Sequence, residues 1–311
     1  MKCYFWVNMS LIELPTELNQ EILELLNFLS QIRFSQVNKY LHNALKITDF
    51  FNIDKKYIDK LSDTILGNYK YIQKLSCNFN ITDLGILHLK LHSLYVNDGI
   101  TDNGIKSMNL TKLYANFNTK ITDDGIKHME LRILHIGGLY SKISDKSIRH
   151  FDLIELVAFS NPNITDDGIE HMINLKSLDI FWNKKITNKS IKNFDLIKLT
   201  INGTNINDDG IRHMIKLEDL HISDNNQITD DVIKSFNLRI LWCNNIITDD
   251  GIKHLKNIEE LNINNNMNIT ENGIYHMNPF RLYCSQKTNI TKNGTSHMTN
   301  LITKEYNDKL T

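Results

Sequence analysis

The stretch ITDDGIKHM, residues 121–129, holds two adjacent carboxylates and a histidine, and it recurs along the chain. Eleven copies follow one another at a period of 19 to 22 residues. They begin at residues 81, 100, 121, 143, 164, 186, 206, 228, 247, 269 and 290. A repeat of this length predicts an array of stacked coils, in which each coil packs against its two neighbours.

Each copy has the features of a short helix start. The second position is Thr, Ser or Asn in all eleven copies, and such side chains accept hydrogen bonds from the first helical turn. The third position is acidic in nine copies, which suits the positive end of the helix dipole. Ile121 and Ile126 have the spacing of a hydrophobic staple, and Met129 lies on the same face as Ile126. We expect the glycine of DDGI to let neighbouring coils approach closely.

The histidine of the motif is also part of the repeat. Eight of the twelve histidines occupy one position, and they are His88, His128, His150, His171, His213, His254, His276 and His297. Other copies hold Ser107, Asn193 or Ser235 there. A catalytic or metal-binding group is not expected eight times over or to alternate with serine, so we predict an outer structural position. The alternative is a pH-sensitive row, because stacked imidazoles repel one another once protonated.

A second pattern, apolar-x-x-Leu-x-apolar, lies between the helix motifs, as in LRILHI at residues 131–136. Its final alternation has a period of two, which predicts a short strand. Asparagines follow several of these strands, and they are Asn118, Asn161, Asn183, Asn225 and Asn266. We expect their side chains to bond the backbone of adjacent coils. The copies at residues 100, 206 and 247 have shorter turns, and we expect them to lack this asparagine and to be flatter or irregular.

Each repeat of 19 to 22 residues holds a strand, an asparagine turn and a capped helix. This order resembles the leucine-rich repeat, in its cysteine-containing variety with a shortened convex side. The resemblance covers residues 72–311. It implies an α/β fold, in which about eleven coils form a right-handed solenoid with a concave parallel sheet. Cys77, Cys243 and Cys284 fall in the third apolar strand position and are expected to be buried packing residues. No cysteines are spaced C-x-x-C, so neither a zinc site nor a disulfide framework is indicated.

The N-terminal segment does not repeat, and its apolar residues have helical spacing. One set predicts a first helix, with Leu18, Ile22, Leu25 and Leu29 at i, i+4, i+7 and i+11. A second set predicts another helix, with Val37, Leu41 and Leu45 on one face. Pro15 suits the first turn of a helix. Residues 51–71 are expected to form a connecting segment with a short helix.

Residues 9–50 resemble the F-box. The resemblance rests on Leu14-Pro15, Glu17-Leu18, Ile22, Leu29, Ile32 and Val37-Asn38-Lys39. Asn38 stands where the family usually has cysteine, and Leu41 stands where it usually has tryptophan. The resemblance implies docking of a Skp-type adaptor of a cullin-RING ligase, through Leu14, Pro15, Leu18, Ile22 and Leu29. The alternative is that these helices only cover the open edge of the solenoid.

Residues between the strand leucines are expected to point from the concave face into solvent and to bind an unknown protein target. The candidates are Tyr95, Tyr114, His135, Phe159, Phe181, His221, Trp242 and Tyr283. We predict that the first five form one continuous aromatic strip, since Trp and Tyr are favoured interface anchors. The alternative is that strands favour aromatic side chains in any case.

The remaining features exclude several classes of protein. The formal net charge is −1, so no nucleic-acid partner is expected, and no apolar run is long enough for a membrane span. No P-loop, G-x-S-x-G or H-E-x-x-H motif occurs, so we expect neither an enzyme nor a cofactor. We expect a cytoplasmic or nuclear protein. Abundant Ile, Asn and Lys are typical of AT-rich amoebal or large-DNA-virus genomes.

Two functions are consistent with these features. The first is a substrate-recognition adaptor of an SCF-type E3 ubiquitin ligase, as the F-box resemblance implies. The alternative is a ubiquitin-independent leucine-rich-repeat binding or inhibitor module with a helical N-terminal cap.

Overall fold

A computed structural model describes residues 14–26, 28–37, 41, 44–51, 53–285, 288–291 and 293–306. They form two compact units, one on each side of the boundary between Tyr114 and Ala115. No helix among the described residues is long and apolar enough to cross a lipid bilayer.

The first unit combines two longer helices with the first coils of the repeat. Its helices are α1 Thr16–Glu24, α2 Phe28–Ser35, α3 Lys55–Ile58, α4 Asp63–Leu66, α5 Asp83–Ile86 and α6 Asp102–Ile105. Its strands are β1 Asp49–Phe50, β2 Lys74–Ser76, β3 Ser93–Tyr95 and β4 Lys112–Tyr114. The four strands pair in parallel and in chain order.

The second unit continues the same alternation of strand and helix. Its strands are β5 Ile133–His135, β6 Glu155–Val157, β7 Ser177–Asp179, β8 Lys198–Thr200, β9 Asp219–His221, β10 Ile240–Trp242, β11 Glu260–Asn262, β12 Arg281–Cys284 and β13 Thr303–Tyr306. Its helices are α7 Asp123–Ile126, α8 Asp145–Ile148, α9 Asp166–Ile169, α10 Asn188–Ile191, α11 Asp208–Ile211, α12 Asp230–Ile233, α13 Asp249–Ile252 and α14 Glu271–Ile274. These strands also pair in parallel and in chain order.

Each coil buries the apolar residues that the motif repeats. In the coil that begins at residue 121, the fully or almost fully buried side chains are Ile121, Ile126, Leu131, Leu134 and Ile136. The central strand leucine is in register with that of the next coil, as Leu134 is with Leu156. The predicted α/β leucine-rich-repeat fold, a parallel sheet alternating with short helices, is confirmed.

The helix starts are capped as the motif predicts. In α7 the side chain of Thr122 accepts a hydrogen bond from the Asp124 N–H, at 3.2 Å. The same bond is present in the other helices from α5 to α14, where the caps are Thr82, Thr101, Ser144, Thr165, Thr187, Asn207, Thr229, Thr248 and Thr270.

The first helix is shorter than its apolar spacing predicts. Helix α1 ends at Glu24, and Leu25 is 87% exposed as its C-terminal cap. The residues that α1 buries are Asn19 and Leu23, so the predicted face is not the one that packs inward. A turn at Leu26 ends the helix, and this turn separates Leu29 from the first helix.

The second predicted set is correct in part. Leu41 and Leu45 are buried and pack with Leu23 in one apolar cluster, whereas Val37 is 59% exposed. Asn38 lies outside the described residues.

The parallel sheet begins ahead of the eleven recognised copies. Strand β1 pairs in parallel with β2, with Phe50 in register with Leu75. The segment between them holds two short helices, α3 and α4, where one was predicted. Helix α4 is capped by Ser62, which accepts a hydrogen bond from the Ile65 N–H. Coil architecture is therefore already present within residues 51–71.

The strand cysteines are packing residues, as predicted. Cys77, Cys243 and Cys284 are buried. Burial, with a smaller effect of Asp63, raises the pKa of the Cys77 thiol, and burial with Asp230 does the same for Cys243. A buried thiol held protonated is a poor nucleophile, so these side chains are not candidates for covalent chemistry.

Candidate functional site

In most copies of the motif, the first carboxylate bonds to the next coil. Asp145 Oδ1 accepts a hydrogen bond from the Thr165 N–H at 2.9 Å, and its Oδ2 accepts one from the Thr165 hydroxyl at 2.6 Å. The same pair of bonds joins Asp63 to Thr82, Asp83 to Thr101, Asp123 to Ser144, Asp166 to Thr187, Asp208 to Thr229, Asp230 to Thr248 and Asp249 to Thr270. These carboxylates are structural, and they were predicted only to complement the helix dipole.

The glycine of the motif makes room for this carboxylate. A Cβ added to Gly168 would overlap Asp145 Oδ1, which confirms the predicted close approach of coils. In two coils a serine stands at this position and donates to the carboxylate instead. Ser147 donates to Asp123 at 2.6 Å, and Ser190 donates to Asp166 at 2.5 Å.

The repeated histidine also links neighbouring coils. His213 is exposed, and its Nε2–H donates to the carbonyl oxygen of Phe194 at 2.7 Å. Equivalent bonds to the preceding coil are made by His88, His171, His254, His276 and His297. Within the described part of the chain, no group of three or more His, Cys, Asp or Glu side chains is placed to hold a metal ion. The histidine position is thus outer and structural, as predicted.

The asparagines form a ladder at the ends of the strands. Asn183 Nδ2 donates to the carbonyls of Asn161 and Ile164 in the preceding coil, at 3.0 and 3.1 Å. The predicted loss of this asparagine from the coils at residues 100 and 247 is wrong. Asn97 and Asn244 make the same bonds there, because the shorter turns bring the asparagine directly after the strand.

The coil at residue 206 does lack the asparagine, as predicted. Thr204 stands in its place and donates to its own coil, at Ile201 O, at 2.8 Å. The ladder nevertheless continues through it, because Asn225 Nδ2 donates to the Thr204 hydroxyl at 3.3 Å.

Histidine, lysine and carboxylate side chains pair with one another on the outward face of the sheet between β5 and β9. His135 Nε2 lies 2.6 Å from Glu155 Oε1 on the neighbouring strand. Two basic side chains lie beside Asp219, with Lys198 Nζ at 2.9 Å and His221 Nε2 at 2.9 Å. Burial raises the pKa of Asp219, but hydrogen bonds from His221 and Lys198 outweigh it, so that the net pKa is lowered.

Asp179 lies on the same face, between these pairs, and differs from its neighbours. Its Oδ1 accepts a hydrogen bond from the Phe181 N–H at 3.0 Å. Among the described residues, no lysine, arginine or histidine forms an ion pair with it. Burial raises the pKa of Asp179, against the smaller opposing effects of its own hydrogen bond and of His221, Lys198 and His135.

An aromatic group lies further along the sheet face. His221 and Trp242 stack with ring centroids 4.3 Å apart and an interplanar angle of 6°, and Tyr283 lies 6.4 Å from Trp242. The Trp242 indole donates to Glu260 Oε1 at 2.9 Å, and Arg281 donates to Oε2 of the same carboxylate at 2.9 Å. Three of the predicted partner-binding residues are therefore brought together.

The other predicted aromatic residues lie in two places, one in each unit. Tyr95 and Tyr114 stack in the first unit, with ring centroids 6.2 Å apart. Phe159 and Phe181 lie in the turns after β6 and β7, and these turns are joined by a hydrogen bond from the Ser160 N–H to Phe181 O at 2.7 Å.

Two aromatic residues that the sequence pattern missed complete this second group. Phe117 lies 5.3 Å from Phe159, and Trp182 lies 5.9 Å from Phe181, between ring centroids. Phe117 is 69% exposed and Trp182 is 55% exposed. Both have a positive φ, of 62° and 57° respectively. Residues Phe117, Phe159, Phe181 and Trp182 are called the turn aromatics below.

Of the candidate adaptor-binding residues, Leu18 and Ile22 lie in α1, and Leu14 and Pro15 directly precede it. Leu18 is 39% exposed, Pro15 is exposed, and Leu14 and Ile22 are half-buried. The side chain of Leu29 lies outside the described residues. Leu18 is thus exposed on a helix that packs through Leu23 among the described residues.

The parallel strands and short capped helices have a leucine-rich-repeat fold, preceded by a helical segment. The F-box domain family matches residues 11–52, so the chain carries an F-box domain there. No curated protein matches the sequence at a significant level.

Among solved structures, the chain resembles Rad7 in the yeast Rad7–Elc1 complex, at 19% identity and a TM-score of 0.64, over 92% of this chain and 88% of that one. An internalin of Listeria monocytogenes matches at 16% identity and a TM-score of 0.37, over 86% of this chain and 73% of that one. A chain of a TLR13–ssRNA13 complex matches at 15% identity and a TM-score of 0.43, over 86% and 48%. An amoebal or viral source finds no support in these comparisons.

Proposed function

We propose that this protein is a substrate-recognition adaptor of an SCF-type E3 ubiquitin ligase, acting in the cytoplasm or nucleus. The F-box domain would dock a Skp-type adaptor, and the coils would hold a protein target. The chain would make and break no bonds itself. It would raise the effective concentration of a target lysine near the ubiquitin-charged enzyme.

One observation carries the proposal: the F-box domain matched at residues 11–52 has an exposed leucine, Leu18, in its first helix. Burying a side chain such as Leu18 or Ile22 against a partner contributes up to roughly 1.5–3 kcal/mol. Leu41, which departs from the usual tryptophan, is fully buried against Leu23 and Leu45. The replacement of the usual tryptophan by Leu41 therefore changes the packing inside the helical segment, whereas Leu18 in α1 is still exposed.

The similarity in fold to Rad7 also supports the proposed adaptor function. Rad7, whose fold this chain shares, is found in a complex with Elc1. A leucine-rich-repeat chain of this architecture can therefore hold a partner protein, so an Elc1-type protein belongs in the binding test beside a Skp-type adaptor.

The target would be held on the sheet face, which carries His135, His221, Trp242 and Tyr283, and by the turn aromatics. Half-buried aromatic side chains are common binding anchors, and the ion pairs around them fix their orientation.

The test is a pulldown of the purified full chain with a Skp-type adaptor and, separately, with an Elc1-type protein. Wild type is expected to be retained, and a variant with Leu18→Asp and Ile22→Asp is expected to lose binding because both carboxylates would be desolvated at the contact. The matched control is Ile215→Asp, in the second unit, where the side chain is 74% exposed. Retention of the double variant at the wild-type level, or no retention of wild type, would leave the ubiquitin-independent binding module as the better description.

A further inference from the structure

Two of the turn aromatics, Phe117 and Trp182, are exposed at backbone positions that do not favour a large side chain. Phe117 and Trp182 immediately precede Asn118 and Asn183 of the asparagine ladder, in a left-handed backbone conformation. Glycine or asparagine tolerates this conformation best, and in the corresponding turns Gly203 and Asn265 adopt it. Large exposed rings at strained positions indicate a functional surface.

The surrounding backbone is shaped to receive these rings. A Cβ added to Gly137 would overlap the ring of Phe159, and one added to Gly203 would come within 2.9 Å of Trp182. The ring of Phe159 therefore lies against Gly137 and that of Trp182 against Gly203, each a glycine of an adjacent coil. Trp182 remains 55% exposed, so a cationic side chain can stack on the open part of its ring.

On the adjacent sheet face, no basic side chain of the described residues forms an ion pair with Asp179. Asp179, two residues before Phe181, is in register with Val157 on one side and Thr200 on the other. The nearest basic side chains are already engaged with other carboxylates, His135 with Glu155, and both Lys198 and His221 with Asp219. A half-buried carboxylate without an ion-pair partner, beside exposed aromatic rings, is complementary to an arginine or lysine that carries apolar neighbours.

We propose that the turn aromatics and Asp179 form a docking site for a target-protein segment in which an arginine or lysine is flanked by apolar residues. Its guanidinium or ammonium group pairs with the Asp179 carboxylate, and its apolar neighbours cover Phe159, Phe181 and Trp182. This inference rests on the proposed function in one respect: the docked segment would belong to the protein target of the ligase adaptor.

The experiment is a selection of random twelve-residue peptides, displayed on phage, against the immobilised full chain. The expected result is enrichment of peptides with arginine or lysine between aliphatic or aromatic residues. Enrichment of acidic or uncharged peptides, or no enrichment over the bare support, would overturn the proposal.

A synthetic copy of the most enriched peptide is then measured by fluorescence anisotropy. Asp179→Asn is expected to raise its Kd at least about tenfold, the scale of a lost charge-assisted hydrogen bond. Phe181→Ala is expected to weaken it similarly, and the exposed Asp209→Asn is the matched control. Unchanged Kd for both site variants would overturn the proposal, even with basic peptides enriched.

The peptide-binding experiment and the adaptor pulldown can succeed or fail independently of each other. Asp179→Asn is expected to bind the Skp-type adaptor as wild type does. If adaptor binding fails while basic peptides are enriched and depend on Asp179, the docking site stands without the ligase function. If the adaptor binds and the peptides do not, the ligase function stands and this site is wrong.

Discussion

Asp166, the first residue of α9, accepts two hydrogen bonds from Thr187, the residue that caps α10 in the next coil. Asp166 Oδ1 accepts a hydrogen bond from the Thr187 N–H at 2.9 Å, and Oδ2 accepts one from the Thr187 hydroxyl at 2.7 Å. The Thr187 oxygen accepts in turn from the Lys189 N–H of its own helix at 3.1 Å. Each carboxylate therefore positions the cap of the following helix, and side-chain hydrogen bonds join the coils along this side, in addition to isolated backbone bridges such as that between Thr122 and Lys142.

Replacing Asp166 with alanine is expected to destabilise the protein. The change removes the acceptors for Thr187 and also for the Ser190 hydroxyl, which donates at 2.5 Å. Because Asp166 is 9% exposed, water replaces these bonds poorly, and we expect the free energy of unfolding to fall by about 3 kcal/mol. Urea unfolding followed by circular dichroism measures the loss.

The neighbouring Asp167 provides a matched control. Its side chain is 71% exposed and pairs with Lys189 at the surface. Asp167→Ala is expected to change the free energy of unfolding by less than about 0.5 kcal/mol, as surface substitutions usually do. Equal losses for the two variants would contradict a specific bridging role for the first carboxylate.

A second prediction concerns the glycine beneath the carboxylate. Gly168→Ala places a methyl group against Asp145 Oδ1 and is expected to destabilise by about 1–3 kcal/mol, the range for overpacking. Gly168→Ser is expected to destabilise less, because Ser147 and Ser190 show that a hydroxyl at this position donates to the carboxylate. The order of the two thermal unfolding midpoints checks this. Alanine at least as stable as serine would contradict it.

The parts of the fold that were predictable from the sequence are those set by local spacing. The capping residue, the staple isoleucines and the strand leucines each act within a few positions, so a single copy of the motif reveals them. The partner of Asp166 lies one coil away, and no spacing within the motif points to Thr187. The ladder role of Asn97 was not predicted, because the turn before it is shorter than in most coils. Its hydrogen bonds to the preceding coil are nevertheless the usual ones.

The candidate surfaces were predictable only in part. The sheet-face positions follow from period-two alternation, and His221, Trp242 and Tyr283 do cluster. Phe117 and Trp182 lie in turns, where no periodicity assigns a side chain to a face. In the first helix, the apolar spacing predicted a longer helix with Leu18, Ile22, Leu25 and Leu29 on one face, whereas α1 ends at Glu24 and Leu23 is the apolar residue that packs inward.

A third prediction concerns the stability of Asp179 variants and its pH dependence. The folded-state pKa of Asp179 is raised above its ordinary value of 3.8 by burial, so the folded state binds a proton more tightly than the unfolded state. The ionised carboxylate therefore lowers stability at neutral pH, and this effect is lost as the pH falls through the raised pKa. Asp179→Asn is expected to unfold at higher urea concentration than wild type at pH 7. The difference should disappear below about pH 4, and a variant less stable than wild type at pH 7 would contradict it.

Asp219 is expected to behave in the opposite way. Its folded pKa is lowered below 3.8, because the bonds from His221 and Lys198 outweigh its burial. Its stabilising contribution is present above the unfolded pKa and is lost as the pH falls through the lower folded value. Asp219→Asn should therefore cost about 1–3 kcal/mol at pH 7. Urea titrations at pH 7 and pH 3 measure both variants, and a loss for Asp219→Asn that is as large at pH 3 as at pH 7 would show that charge is not the cause.

A final prediction separates stability from binding at Trp182. Asparagine adopts the left-handed conformation more readily than tryptophan, as Asn265 does at a φ of 63° in the corresponding turn. The relief of backbone strain offsets the loss of the ring from Gly203 and Phe181, so Trp182→Asn should change the free energy of unfolding by less than about 1 kcal/mol. Because the ring is part of the proposed docking site, the same variant should bind the enriched basic peptide several-fold more weakly. Anisotropy and urea unfolding on one preparation test both halves. A large loss of stability together with unchanged peptide affinity would assign Trp182 a packing role and remove it from the docking site.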